Sequence, residues 1–120
     1  LIIAIMVLVW FLLGMVIDSI SIMLLTVPIF APIAESLGYD PIAFSIIGIL
    51  AIEAGLLTPP FGLLVYTVKA VMQDEDPSIT LGEIFCSSTP YCVIILLAMA
   101  LIIVFPKIAT LLPSLLFGPR

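Results

Sequence analysis

The chain is 120 residues long, 64% hydrophobic and 9% charged, with a formal net charge of −5 and a mean hydropathy of +1.48. Soluble domains carry about 25% charged residues and roughly 45–50% apolar ones, so the composition excludes an ordinary soluble domain and specifies an integral membrane protein. With three basic residues and no His, nucleic acid is excluded as a partner, and so are imidazole metal sites and His-based triads within the chain.

The first seventeen residues carry no charge. They begin inside an apolar run with no initiating Met, basic leader or small-residue cleavage site, so the expectation is the C-terminal piece of a longer polypeptide and not a signal peptide. Asp18-Ser19-Ile20-Ser21 interrupts the run, which then continues from Ile22 to Ala34 with Pro28 and Pro32 inside it. A membrane span needs about 20 apolar residues, and each half is short of that. Two readings stay open on spacing alone. Two ordinary spans meet at a tight external turn, or a re-entrant hairpin carries Asp18, Ser19 and Ser21 to mid-membrane at its tip. Asp18 is also placed to cap the following helix through the Ser21 N–H, and a capped helix N-terminus is itself an anion site. Gly14 and Gly48 read as places of close helix packing, not as ligands.

Residues 36–41 form an interfacial turn. Gly38 suits the left-handed end of a helix, Tyr39 suits the membrane interface, and Asp40-Pro41 is an N-cap followed by Pro at the first helical position. The helix predicted over Pro41–Ile52 climbs about 18 Å, a little over half of a ~30 Å hydrocarbon core.

That rise puts Glu53-Ala54-Gly55-Leu56-Leu57-Thr58-Pro59-Pro60-Phe61-Gly62 near the midplane. Pro59 and Pro60 remove two N–H donors, Gly55 and Gly62 loosen the backbone, and the stretch is expected to end the helix until it resumes at Leu63–Met72. Irregular backbone at that depth is tolerated only when buried in protein or lining a wet cavity, and a broken helix beside a carboxylate and a hydroxyl is the pattern of a transport site. Glu53 is either on the pathway or a hydrogen-bonded acid holding the break together. Thr58, with the carbonyls of Ala54, Gly55 and Leu56, offers hard oxygen ligands suited to Na⁺, with Thr58 and Gly55 the candidate metal ligands. The alternative is that Thr58 hydrogen-bonds back to its own helix.

Lys69 lies near the end of the resumed helix, where a cation suits the dipole. The stretch Met72–Ile79, with Asp74-Glu75-Asp76, is the aqueous loop. Thr80-Leu81-Gly82-Glu83 has capping-box spacing. The helix that follows is expected to run to Phe105 with a bend near Pro90, reaching about 37 Å, enough to span with tilt. Residues 107–120, with Pro113, read as an interfacial tail. Cys86 and Cys92 are six apart, on different faces of that helix, and read as free thiols acting as small hydrophobes. Other classes fit less well. A proton-coupled transporter or other helical transporter or channel subunit is the runner-up. An intramembrane acid protease using Asp18 and Glu53 is remote, because nothing in the sequence brings the two carboxyls together.

Several motifs occur in one order: residues 14–19 (GMVIDS), 28–32 (PIFAP), 37–42 (LGYDPI) and 55–62 (GLLTPPFG), followed by Pro90 and the ending from Phe105-Pro106 to Leu112-Pro113. Over nearly the whole chain this resembles the C-terminal end of the large membrane subunit of tripartite ATP-independent periplasmic (TRAP) transporters, the DctM-like family. The resemblance implies an all-α integral membrane protein, the C-terminal part of an inverted-repeat elevator transporter driven by Na⁺ as coupling ion, with no other cofactor and no enzymatic activity. By that likeness the regions are a re-entrant hairpin (1–37), a discontinuous Pro-Pro-broken transmembrane helix (38–72), an aqueous loop (73–80), a final transmembrane helix (81–106) and the tail (107–120). The ion and substrate site would draw on Asp18, Ser19, Ser21, Glu53, Gly55, Thr58, Pro59, Pro60 and Gly62. Implied partners are the N-terminal part of the same subunit, a small membrane subunit, a periplasmic substrate-binding protein, the lipid bilayer and a small carboxylate such as a dicarboxylate or a sialic acid. The implied location is the bacterial inner membrane, crossed several times. One departure bears on the site: Ile52 stands where relatives often have Asn, so no ligand role of that amide carries over.

Overall fold

A computed structural model describes residues 1–118, which form six helices. They are α1 (Ile2–Gly14), α2 (Ser19–Ser36), α3 (Pro41–Leu56), α4 (Leu63–Met72), α5 (Leu81–Val104) and α6 (Lys107–Phe117). Two of the described helices, α2 and α5, are long and apolar enough to cross a membrane.

Local chemistry sets the helix ends. Asp18 caps α2, its Oδ2 accepting the Ser21 N–H at 2.9 Å. At the other end Gly38 sits at φ +81°, with its N–H on the Glu35 carbonyl and the Tyr39 N–H on the Ala34 carbonyl. This paired closure satisfies carbonyls that a helix end otherwise leaves bare. Asp40 Oδ1 accepts the N–H groups of Ile42 and Ala43 at 2.8 and 3.2 Å, and Pro41 occupies the first helical position. The capping box forms at α5: Thr80 Oγ1 accepts the Glu83 N–H, and Glu83 Oε2 accepts the Thr80 N–H at 2.7 Å.

Helix α3 is the centre of the assembly and touches the other five. Its buried face is largely small: Ala43, Gly48, Ala51, Ala54 and Gly55 lie there with Phe44, Ile47 and Ile52. In a bilayer lipid tails are as apolar as Leu, so close approach and interhelical hydrogen bonds hold helices together. Close approach operates between α1 and α3, and a hydrogen bond between α1 and α2. A methyl group on Gly14 would lie 2.5 Å from the Ile52 carbonyl oxygen, and one on Gly48 would lie 2.7 Å from the Trp10 ring. The packing role expected for these two glycines is what the structure contains. Trp10 is 2% exposed and lies 5.3 Å from Phe30 and 5.0 Å from Phe44, ring centre to ring centre. Its indole N–H donates to Thr26 Oγ1 at 2.7 Å, and the Thr26 hydroxyl donates on to the Ile22 carbonyl, so α1 and α2 are tied through one buried polar chain.

One boundary departs from expectation. Helix α3 continues to Leu56, four residues past Ile52, so Glu53, Ala54 and Gly55 are helical. The reason is that a proline disturbs the residue before it and the carbonyl one turn back; Pro59 and Pro60 therefore act on Gly55 to Thr58 and leave Glu53 untouched. Helix α5 runs through Pro90, as expected, and ends at Val104 with Phe105 as its C-cap, and within the tail residues Lys107–Phe117 form the helix α6 with Pro113 inside it. Arg120, at the end of the expected tail, lies outside the described residues.

Candidate functional site

The break between α3 and α4 begins with a tightened last turn. The N–H of Leu57 bonds to the Ala54 carbonyl at 3.3 Å and that of Thr58 to the Gly55 carbonyl at 3.0 Å, bonds one residue shorter than α-helical ones. Pro59 and Pro60 follow, joined by a cis peptide, and Gly62 at φ +44° starts α4. Pro60 has no N–H to give the Leu56 carbonyl. Among the described residues no donor reaches the carbonyls of Leu56, Leu57 or Thr58. The break thus holds a run of bare carbonyl oxygens.

The Thr58 hydroxyl donates to the Ala54 carbonyl at 2.6 Å, the back-bonding alternative that the sequence left open. A hydroxyl has one proton and two lone pairs, so this bond fixes the side chain and leaves its oxygen able to accept or to ligate. The Gly55 carbonyl, a candidate ligand, likewise keeps a second lone pair beyond its bond to Thr58. Gly55 is also packed where it stands: a methyl group there would lie 2.3 Å from the Phe11 carbonyl oxygen and 3.0 Å from Gly14 Cα. Glu53, on the last full turn of α3, is half-buried, and its carboxyl makes no hydrogen bond among the described residues.

The turn between α1 and α2 leaves from the same crossing. Gly14 is the last residue of α1 and Gly55 lies on the last turn of α3, so the two irregular segments diverge from one backbone-to-backbone contact. Asp18 Oδ1 accepts the Ser21 hydroxyl at 2.7 Å, so both predicted residues are engaged in the α2 cap and both are exposed. Ser19 is half-buried beside them. Pro59 and Pro60 are exposed on the break, whereas Gly62 is buried.

Helix α5 supplies two residues that the sequence reading did not assign to the site. Cys92 Sγ lies 3.5 Å from Thr58 Oγ1 and 3.8 Å from the Ala54 carbonyl oxygen. Phe85 closes over Gly62, where a methyl group would meet its Cε1 at 2.6 Å. The two are seven residues apart on α5, so they share a face two turns apart. That spacing was the available signal. Which helix the face meets is a contact across 34 residues of sequence and leaves no local mark.

Comparison with known proteins gives a consistent result. Residues 1–108 match the family model described as the tripartite ATP-independent periplasmic transporter, DctM component. Among curated proteins the chain is similar to the sialic acid TRAP transporter large permease protein SiaM of Vibrio cholerae, 37% identical over 106 residues, 88% of this chain and 24% of the relative. It is also similar to the ectoine TRAP transporter large permease protein TeaC of Halomonas elongata (35% identical; 86% of this chain, 23% of the relative). The C4-dicarboxylate TRAP transporter large permease protein DctM of Pseudomonas aeruginosa is likewise 35% identical, with 78% of this chain and 21% of the relative covered. The chain therefore spans about a quarter of the length of these relatives. No solved structure matches it.

Proposed function

The chain belongs to the DctM family of TRAP transporters, whose members are membrane-transport components and not enzymes, and from that premise we propose that it builds ion and substrate sites of a Na⁺-coupled importer of small organic acids. The observation that carries this is the α3–α4 break, with bare carbonyls at Leu56 and Leu57 beside the fixed Thr58 oxygen. Neutral oxygens suit a monovalent ion that must also leave, since tight binding would stall a transport cycle. Asp18, Ser19 and Ser21 at the N-terminus of α2 form the second half of the site. There the α2 helix dipole and the Ser19 hydroxyl favour a carboxylate that approaches clear of Asp18, whose own carboxylate holds the Ser21 N–H and hydroxyl, and the α1–α2 pair acts as a re-entrant hairpin.

In the complete protein this segment is the C-terminal part of an inverted-repeat transporter, supplying its second hairpin and second helix break, that moves as an elevator in the bacterial inner membrane. It works with a small membrane subunit and a periplasmic binding protein that delivers the substrate. The Gly14–Gly55 contact supports joint movement, because hairpin and broken helix cannot separate without opening a backbone-to-backbone seam. Sialic acid, ectoine and C4-dicarboxylate appear in the names of the three relatives described above. A small carboxylate is the substrate class proposed here.

Thr58→Val keeps the side-chain shape and deletes the oxygen. In proteoliposomes holding the complete transporter and its binding protein, this change is expected to raise the Na⁺ concentration for half-maximal uptake roughly ten-fold, as loss of one oxygen contact to a charge implies. Thr58→Ser is expected to be mild. An unchanged Na⁺ dependence in Thr58→Val, with normal amounts of assembled protein, would show that the hydroxyl serves only its helix.

A further inference from the structure

Far from the break, a groove of about 270 Å³ lies between the start of α3 and α6, lined by Asp40, Lys107, Thr110, Leu111 and Ser114 among others. Its position follows from the chain path. Phe85 faces Gly62, Cys92 faces Thr58 and α6 faces Asp40, so α5 runs antiparallel to α3–α4 and returns the chain to the end where α3 begins. That end carries the interfacial turn with Tyr39 and the capped N-terminus of α3, so the groove sits at the membrane surface. On α6, Leu112, Leu115, Leu116 and Phe117 are all exposed, as expected of a helix lying among head groups and upper acyl chains.

The polar groups of the groove are arranged for two charges, one of each sign. Asp40 and Lys107 line it together, yet among the described residues they make no ion pair. Asp40 Oδ1 is used twice by the α3 cap, which leaves Oδ2 free. The hydroxyls of Thr110 and Ser114 donate to the carbonyls of Lys107 and Leu111, so they turn lone pairs outward. Residues with three unused acceptors and one ammonium donor therefore line one space. The complementary ligand has a primary ammonium to donate hydrogen bonds and a phosphodiester to accept one, a few bonds apart.

We propose that this groove seats the head group of an aminophospholipid, its ammonium on Asp40, Thr110 and Ser114 and its phosphate on Lys107. A quaternary ammonium head group cannot donate to the three acceptors, and a purely anionic one meets the Asp40 carboxylate. The groove thus discriminates by head group and not by acyl chain.

The test uses the full-length transporter, with lipid retention measured by native mass spectrometry against phosphatidylethanolamine, phosphatidylcholine and phosphatidylglycerol of matched chains. The expected result is about a five-fold preference for phosphatidylethanolamine, the ratio that one charged contact near a membrane surface supplies. Asp40→Asn keeps the helix cap, because its amide oxygen accepts the same N–H groups, and is expected to abolish the preference. Lys107→Gln is expected to weaken retention of phosphatidylethanolamine by a similar factor. The double change Thr110→Ala with Ser114→Ala removes acceptors without touching the cap, and is expected to lower the preference even should the Asp40 variant fail to assemble. Equal retention of the three lipids overturns the proposal, and so does a preference unchanged by these variants.

Discussion

Thr58 and Glu53 sit five residues apart and are held in opposite ways. The Thr58 side chain is fixed by the Ala54 carbonyl and by Cys92, whereas the Glu53 carboxyl is half-buried with no hydrogen bond among the described residues. A carboxylate inside a membrane segment is costly unless paired, hydrated or protonated, so Glu53 is expected to influence transport without anchoring the fold. Glu53→Gln should keep assembled protein and most uptake, and should shift mainly the pH dependence of uptake in proteoliposomes. Loss of all proton dependence would instead make Glu53 a proton-coupling group, and behaviour identical to wild type at every pH would remove it from the mechanism. Both residues were visible in the sequence as polar groups beside a Pro-Pro break. Their local geometry was not, because Pro59 and Pro60 disturb the helix only one turn back and leave Glu53 in α3.

At the scale of elements, the segment between α4 and α5 is tied from both sides. Lys69 Nζ donates to the Ile79 carbonyl, and Asp76 accepts both the N–H and the hydroxyl of Ser78. The Ser78 hydroxyl first, then its N–H, holds the Asp76 carboxyl below its ordinary range. A carboxyl depressed in the folded state stabilises above its unfolded value, and loses that contribution as pH falls through the folded one. Protection of the Ser78 amide from hydrogen exchange should therefore stay constant from neutral pH down to about 4 and decline only below it. A decline already complete at pH 6 would show that another group holds the loop. The caps at Asp18, Asp40 and Thr80 and the left-handed Gly38 were all legible, since each depends on residues within four positions.

For the whole molecule, the seam between α1 and α3 sets how the α1–α2 turn and the α3–α4 break meet. A methyl group on Gly55 would lie 2.3 Å from the Phe11 carbonyl oxygen, backbone that cannot swing aside. Gly55→Ala is expected to destabilise the purified transporter by about 1–3 kcal/mol, the usual range for overpacking, and to lower its thermal midpoint and its Na⁺ affinity together. Gly82→Ala serves as the control, because a methyl there meets only Thr80 Oγ1 at 3.9 Å and should leave both readouts near wild type. Equal behaviour of the two variants would mean that α1 and α3 are not locked in the complete protein.

The sequence by itself determined the membrane class, the caps, the α3–α4 break and the family, because composition, turn chemistry and motif order are properties of neighbouring residues. Only the tertiary structure decided that α3 is the hub, that Gly55 is a seam residue as well as a candidate ligand, and that Cys92 and Phe85 complete the break. It also brought Asp40 and Lys107, far apart in the chain, into one groove. The physical reason is common to all of these. Helix faces in an apolar chain look alike from the sequence, and the choice of partner rests on backbone approach and a few interhelical hydrogen bonds that leave no periodic signal.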